Sequence, residues 1–254
     1  MFALEDLRVS RSGKTILSVD SLQLGADGVT VIIGHNGSGK STLVSLLARQ
    51  IPPDSGRVVL DGCDLERYSQ RQLAQKVSYL PQRLPPVAGL DVRELTGLGR
   101  FAWRGTFGRL GSADRKAVEQ AMLDTGCAAL SDHTVDTLSG GERQRAWIAM
   151  LLAQAAPVLV LDEPTAALDL AHAYDVMMLL HRLSREAGRQ VIVILHDINL
   201  AARYADRIVA LKAGHVAFDG PPQALLEPTL LPDLYGVDMV LLDHPDGRSH
   251  AVVA

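Results

Sequence analysis

"VTVIIGHNGSGKST", Val29 to Thr42, is the stretch on which the reading of the whole chain turns. Its first five residues are all β-branched, as a buried strand prefers. Gly34, Gly37 and Gly39 follow, and Lys40, Ser41 and Thr42 open a helix-like segment. Strand, glycine loop and helix in that order give the pattern G-x-x-x-x-G-K-[ST] its working context. The glycines let the backbone curl, so that successive N–H groups around His35, Asn36 and Ser38 point inward at phosphate oxygens. Lys40 then supplies a point charge to the β- and γ-phosphates of a nucleotide, and the Ser41 hydroxyl a ligand for Mg²⁺.

Two further apolar runs, "VLVLD" and "VIVIL", alternate with helical segments as parallel strands do in α/β proteins. The first ends in Asp162 and Glu163, the second delivers His196. An acidic pair at a strand end is by itself often a solvated terminus, and a lone histidine there is more often structural. Beside the glycine loop, the same residues form a shared site at the sheet edge. Asp162 is then placed to hold the Mg²⁺ shell. Glu163, expected to point the other way along the strand, polarises the water that attacks the γ-phosphate, and His196 contacts that phosphate.

"LSGGERQRAWIAMLLAQ", Leu138 to Gln154, is a second candidate anion site. Ser139, Gly140 and Gly141 stand before an amphipathic helix, where free N–H groups and the helix dipole face one spot. This site has neither the lysine nor the metal-binding hydroxyl of the first. Elsewhere, "LEDLRVSRSGKTILSVDSLQL" reads as alternating strands around a Ser-Gly turn, and "GRVVLDGCDL" continues that β character. Ser69 and Gln72 have capping-box spacing, and "VSYLPQ" is a strand running into a loop at Gln82. From about Leu84 to Ala156 the chain reads as helical, a subdomain inserted in the sheet core. The expected division is residues 1–235 as one domain and 236–254 as a hairpin-like appendage around "HPDG".

At 254 residues and 47% hydrophobic the chain can bury a large core. Its longest apolar tract, Trp147 to Leu161, is shorter than the roughly 20 residues of a membrane span and reads as a helix followed by a buried strand. The N-terminus carries an acidic pair where an export signal would be basic, which points to the cytoplasm. A net charge of −4 argues against general attraction to nucleic acid. Cys63 and Cys127 have no metal spacing and read as small buried residues. His133, His172, His181, His215, His244 and His250 show no ligand spacing and read as ordinary surface or helix residues.

The glycine loop, Gln82, "LSGGERQ", "VLVLDEPTAALD" and His196, in this order, resemble the nucleotide-binding subunit of an ATP-binding cassette (ABC) transporter. The resemblance implies an α/β fold of the P-loop NTPase type: a parallel-sheet core, an antiparallel β subdomain and an inserted helical subdomain. It implies a homodimer that closes on ATP and Mg²⁺, each "LSGGERQ" completing the glycine-loop site of the other chain. By the same resemblance Glu163 is the catalytic base, His196 the γ-phosphate switch, and Asp169 the residue that couples the two sites. Gln82 links the γ-phosphate and the metal to the membrane partner.

Arg11 stands where this family commonly stacks an aromatic residue on adenine; it either substitutes through its guanidinium or is a plain turn arginine. "GLGRFAWRGTFGRLG" gathers Phe101, Trp103 and Phe107 with Arg100, Arg104 and Arg109, either an interface for the permease or an amphipathic segment with core aromatics. This last segment, with "GERQRAWIAMLLAQ" and "LHDINLAARYADRIVALKAG", resembles iron-siderophore import ATPases, closest to the ferric hydroxamate group, with haem and cobalamin importers as relatives. The implied partners are integral membrane permease subunits and, indirectly, a substrate-binding protein, with the chain peripheral on the cytoplasmic face of the membrane and no nucleic acid partner. The other readings are an ABC ATPase clamping DNA, which would carry a long coiled coil in place of residues 83–137, and a binding module without turnover, which would lack part of the set Lys40, Asp162, Glu163 and His196.

Overall fold

The computed structural model describes residues 1–25, 27–105, 108–227, 230–243 and 249–254. The N-terminal part is antiparallel. Strands β1 (Phe2–Arg11) and β2 (Lys14–Leu24) are joined by Ser12 and Gly13, both with positive φ, the two-residue turn whose twist matches the strands. After β3 (Val29–Ile33) and helix α1 (Lys40–Leu47), β4 (Ser55–Leu60) and β5 (Cys63–Asp64) complete a four-stranded sheet in the order β2-β1-β4-β5. Helix α2 (Gln70–Lys76) opens on the capping box expected of Ser69 and Gln72 and feeds β6 (Val77–Leu80).

The helical region holds α3 (Val92–Leu98), α4 (Phe101–Arg104), α5 (Ser112–Asp124) and α6 (Gly140–Ala153). Helix α6 is less amphipathic than its sequence suggests. Gln144, Ala146 to Ala149 and Leu151 to Ala153 are all buried, because α3 and α5 cover one side and β6 the other. The long tract then divides as read, α6 ending at Ala153 and β7 running Val158–Leu161. Helix α7 (Leu170–Ala187), β8 (Gln190–Ile194), α8 (Ile198–Tyr204), β9 (Arg207–Lys212) and β10 (His215–Gly220) follow.

The main sheet runs β10-β9-β3-β8-β7-β6, parallel except for β10. Strands β3, β7 and β8 are buried on both faces, and their period-2 alternation separates two cores. Val29, Val31, Val191 and Val193 face the helices, while Ile32, Ile192 and Ile194 face α1 and the antiparallel sheet. With β3 central, the loop after it opens at the C-terminal edge of the sheet, where ligands of such folds bind. The chain ends in α9 (Pro222–Leu225), α10 (Leu230–Tyr235) and a separate hairpin, β11 (Met239–Asp243) with β12 (Ser249–Val253). The expected turn "HPDG", with His244, lies outside the described residues, as does Phe107. Among the described residues no helix is long and apolar enough to cross a membrane.

Candidate nucleotide site

Residues 34–39 leave β3 and pass over the sheet edge to the N-terminus of α1. Gly34 has φ +142°, and a Cβ there would lie 2.2 Å from the Leu211 carbonyl oxygen, so only glycine lets the loop leave β3 so close to β9. Gly39, with φ +101°, caps α1 while its backbone passes Ile16, whose carbonyl would sit 2.9 Å from an added Cβ. Lys40 is 5% exposed, and its Nζ donates to the carbonyls of Gly34 at 2.7 Å and His35 at 3.0 Å. Burial holds this ammonium below its usual pKa, against the pull of Glu163 and Asp162.

Asp162 follows β7 and is 4% exposed; Ser41 Oγ donates to its Oδ1 at 3.3 Å. Burial pushes its carboxyl pKa up, the Ser41 hydrogen bond opposes this, and the neighbouring Glu163 charge adds to it. A desolvated carboxylate with one long hydrogen bond, next to a hydroxyl, suits a hard cation. Among the described residues no group of three or more His, Cys, Asp or Glu converges on a metal position.

Glu163 stands just past the end of the strand. Strand β7 ends at Leu161, and Glu163 adopts φ +52°, so strand alternation no longer governs where it points. Its carboxylate lines the cavity beside the glycine loop, where the sequence places the group that meets the attacking water. One oxygen accepts from Gln82 Nε2 at 2.6 Å, and the other faces His196 Nε2 at 2.6 Å. A cavity of about 450 Å³ is lined by Asn36, Gly37, Gly39 to Thr42, Gln82, Glu163 and His196, with Ile16 on its wall.

Other predicted residues sit elsewhere. The Ser38 hydroxyl is buried without a partner beneath the loop, and His35 Nδ1 turns onto the Asn36 carbonyl at 2.7 Å. Arg11 is exposed at the β1–β2 turn, outside the cavity lining; Ile16, which sequence reasoning did not single out, is the β2 residue that lines it. Ser139, Gly140 and Gly141 also lie outside the lining. Gly140 and Gly141 back onto the 165–168 turn, a Cβ on Gly141 standing 3.5 Å from Leu168. Ser139 caps α6 in a capping box: its N–H and hydroxyl donate to the Glu142 carboxylate at 2.9 and 2.7 Å, holding that carboxyl below its usual pKa. The S-x-x-E spacing that carries this is the same signal as Ser69-x-x-Gln72. Asp169 caps α7, and its Oδ1 takes both the backbone N–H of His172 at 2.9 Å and the His172 ring at 2.8 Å.

Phe101 and Trp103 are half-exposed on α4. Trp103 is also an anchor, its Nε1 donating to the Gln154 carbonyl at 2.6 Å, while Arg71 holds the Ala102 and Trp103 carbonyls. Arg100 pairs with Asp114 at 2.9 Å and stacks over the Trp103 ring. The segment is thus knitted to α2 and α6 through Trp103 and Arg100 and presents Phe101 outward.

A loop of backbone donors ending in a buried lysine, with one carboxylate beside the loop hydroxyl and another at the cavity wall, defines a nucleoside triphosphatase of the P-loop class. Residues 17–166 match the family model described as ABC transporter, and the chain belongs to that family. It is 41% identical over 224 residues to the ferric enterobactin transport ATP-binding protein of Escherichia coli (strain K12), covering 88% of this chain and 83% of that one. It is 36% identical to the iron(3+)-hydroxamate import ATP-binding protein of Bacillus subtilis (strain 168), covering 95% and 90%. The fold superposes, with a TM-score of 0.78 and 28% identity over 87% of this chain and 99% of the other, on an ATP-binding cassette solved as a dimer in a post-hydrolysis state bound to ADP and Pi. ATP binding and hydrolysis coupled to transport are therefore the activity of this chain.

Proposed function

We propose that the protein powers uptake of a ferric siderophore, working as a pair of copies docked on the cytoplasmic side of a separate membrane permease that a substrate-binding protein supplies. The cargo reading is supported by the two siderophore-import relatives, each matched over most of its length. The reading as a pair rests on one observation: Ser139, Gly140 and Gly141 form a helix N-terminus away from the cavity that holds Lys40. A second copy, turned head to tail, would bring that N-terminus to the phosphates.

In this reading the loop N–H groups and Lys40 bind the phosphates, and Ser41 and Asp162, with Gln82, hold Mg²⁺, which neutralises phosphate charge when bound. Glu163 takes the proton of the attacking water at one carboxylate oxygen. His196 faces the γ-phosphate, Asp169 relays between the two sites, and Gln82 reports to the permease. Phe101, on the outer face of the helical region, is the apolar anchor for that permease. Arg11 stacks on adenine at the rim. Residues 1–235 act as the ATPase domain and 236–254 as its appendage.

The test is reconstitution of the subunit with its permease in vesicles, with binding protein loaded in turn with ferric catecholate, ferric hydroxamate, haem or cobalamin. ATP-dependent uptake of a ferric siderophore is expected. Uptake of haem or cobalamin alone would overturn the cargo assignment, and ATPase stimulated by duplex DNA would overturn the importer class.

A further inference from the structure

His196 leaves β8 at a loop only two residues beyond Ile194 and is followed at once by α8. Helix α8 has seven residues, too few to hold a position by its own hydrogen bonds, so its tertiary partners decide where it sits. Asp197 caps it through the Leu200 N–H at 2.9 Å. One turn past His196, the Asn199 carboxamide pairs with both main-chain groups of Ala251, 52 residues away: Nδ2 donates to the Ala251 carbonyl at 3.0 Å, and Oδ1 accepts its N–H at 2.9 Å. The side chain thus grips β12 as a neighbouring strand would.

Ala251 is itself fixed, 5% exposed in the main core, with Leu241 opposite it in β11 packed against the same core. The C-terminal region approaches the His196 loop at a second point. The Tyr235 phenol, at the end of α10, is buried, and burial followed by the charge of Asp197 pushes its pKa up to about 12.

We propose that Asn199 is a positioning residue of the hydrolytic site: by gripping the C-terminal hairpin it fixes α8 and so holds the His196 imidazole against Glu163. This rests on the reading that His196 takes part in hydrolysis. Asparagine suits the role because it alone, at this length, offers one donor and one acceptor to a peptide unit; aspartate keeps the acceptor and leucine keeps neither.

The test uses the full chain with Asn199→Leu, Asn199→Asp, His196→Ala and the double variant His196→Ala/Asn199→Leu. Turnover, ATP affinity by calorimetry and ¹⁵N-histidine NMR are measured, the His196 signal being assigned by its loss in His196→Ala. Asn199→Leu should lower kcat about tenfold, modest beside the roughly hundredfold that a misplaced group can cost, while ATP affinity stays within about twofold. The His196 Nε2 signal should move, Asn199→Asp should fall between leucine and wild type, and Asn199→Leu should cost nothing further once His196 is alanine. An unmoved His196 signal, a parallel loss of ATP affinity, or an undiminished effect in the His196→Ala background would overturn the positioning role. Wild-type turnover in His196→Ala would instead sink the assignment of His196, and the proposal with it.

Discussion

Replacing Glu163 by glutamine probes the chemistry with the least disturbance of the fold. The side chain is 9% exposed and both its oxygens are engaged, one by Gln82 Nε2 and one by His196 Nε2, each at 2.6 Å. Glutamine has the same size and keeps one acceptor, and its NH₂ meets either the Gln82 carbonyl oxygen after an amide flip or an unprotonated His196 nitrogen. The site geometry therefore survives while the base is lost. Loss of a general base costs about 10²- to 10⁴-fold, equivalent to roughly 3–5 kcal/mol of barrier. Removing a negative charge from a cavity that binds a polyanion acts the other way on affinity, by on the order of 1–2 kcal/mol at an effective dielectric near 20. Glu163→Gln should thus lose nearly all steady-state phosphate release at saturating MgATP, while calorimetry shows ATP bound at least as tightly as by wild type. Turnover within a few-fold of wild type would refute Glu163 as the base; weaker ATP binding together with a lowered Tm would show that the carboxylate is structural.

A mixed dimer of one Lys40→Ala chain and one Ser139→Arg chain should trap one ATP when both also carry Glu163→Gln, because one site then combines an intact glycine loop with an intact partner N-terminus; trapping no greater than in either parent would refute sharing of sites. Asp162→Asn should raise the Tm of the nucleotide-free protein at neutral pH while abolishing Mg²⁺-dependent gain in ATP affinity. Because burial raises the folded-state pKa of Asp162, the penalty of the charged carboxylate is full above that pKa and vanishes as pH falls, so the Tm advantage should shrink on acidification; a pH-independent Tm difference would refute this account. Phe101→Ala should keep basal ATPase and melting temperature but lose sedimentation with permease vesicles, whereas Trp103→Ala should also lower Tm through its bond to Gln154; equal vesicle binding by Phe101→Ala and wild type would remove Phe101 from the interface. Arg11→Ala should weaken ATP and ADP alike, by about 0.5–2 kcal/mol if the guanidinium lies on adenine, and calorimetry showing no change would leave Arg11 a turn residue.

The parts legible in the sequence were those fixed by local pattern. Residues 29–42 specify strand, loop and helix within fourteen positions, and the buried runs ending at Leu161 and Ile194 specify parallel strands, so Lys40, Ser41, Asp162 and His196 come together as read. Glu163 reaches the cavity, but strand alternation is not what brings it there: it lies past the strand's end, and its φ of +52° is a tertiary outcome that the period-2 pattern does not carry. Helix α6 reads as amphipathic, but its polar-looking face includes Gln144, buried with its neighbours. Asn199 carried no signal at all: a carboxamide in a helix looks like a surface residue until a strand 52 positions away is brought against it.

The side-chain charges of the site oppose a polyanion. Lys40 is the ammonium of the cavity and stands against two carboxylates, Asp162 and Glu163, so these side chains sum to a negative charge where a polyanion must bind. The N-terminus of α1 returns only about half a unit of positive charge. In the proposed reading a divalent cation held by Ser41 and Asp162 would reverse the local balance, and triphosphate binding would depend on it. In the proposed pair, a γ-phosphate held at the glycine loop would be met by the N-terminus of a partner's α6. In this chain that N-terminus is occupied by the Glu142 carboxylate at 2.9 Å from the Ser139 nitrogen. On the proposed reading of the pair, a phosphate arriving there would have to displace or bypass that carboxylate, so the capping box would compete with closure.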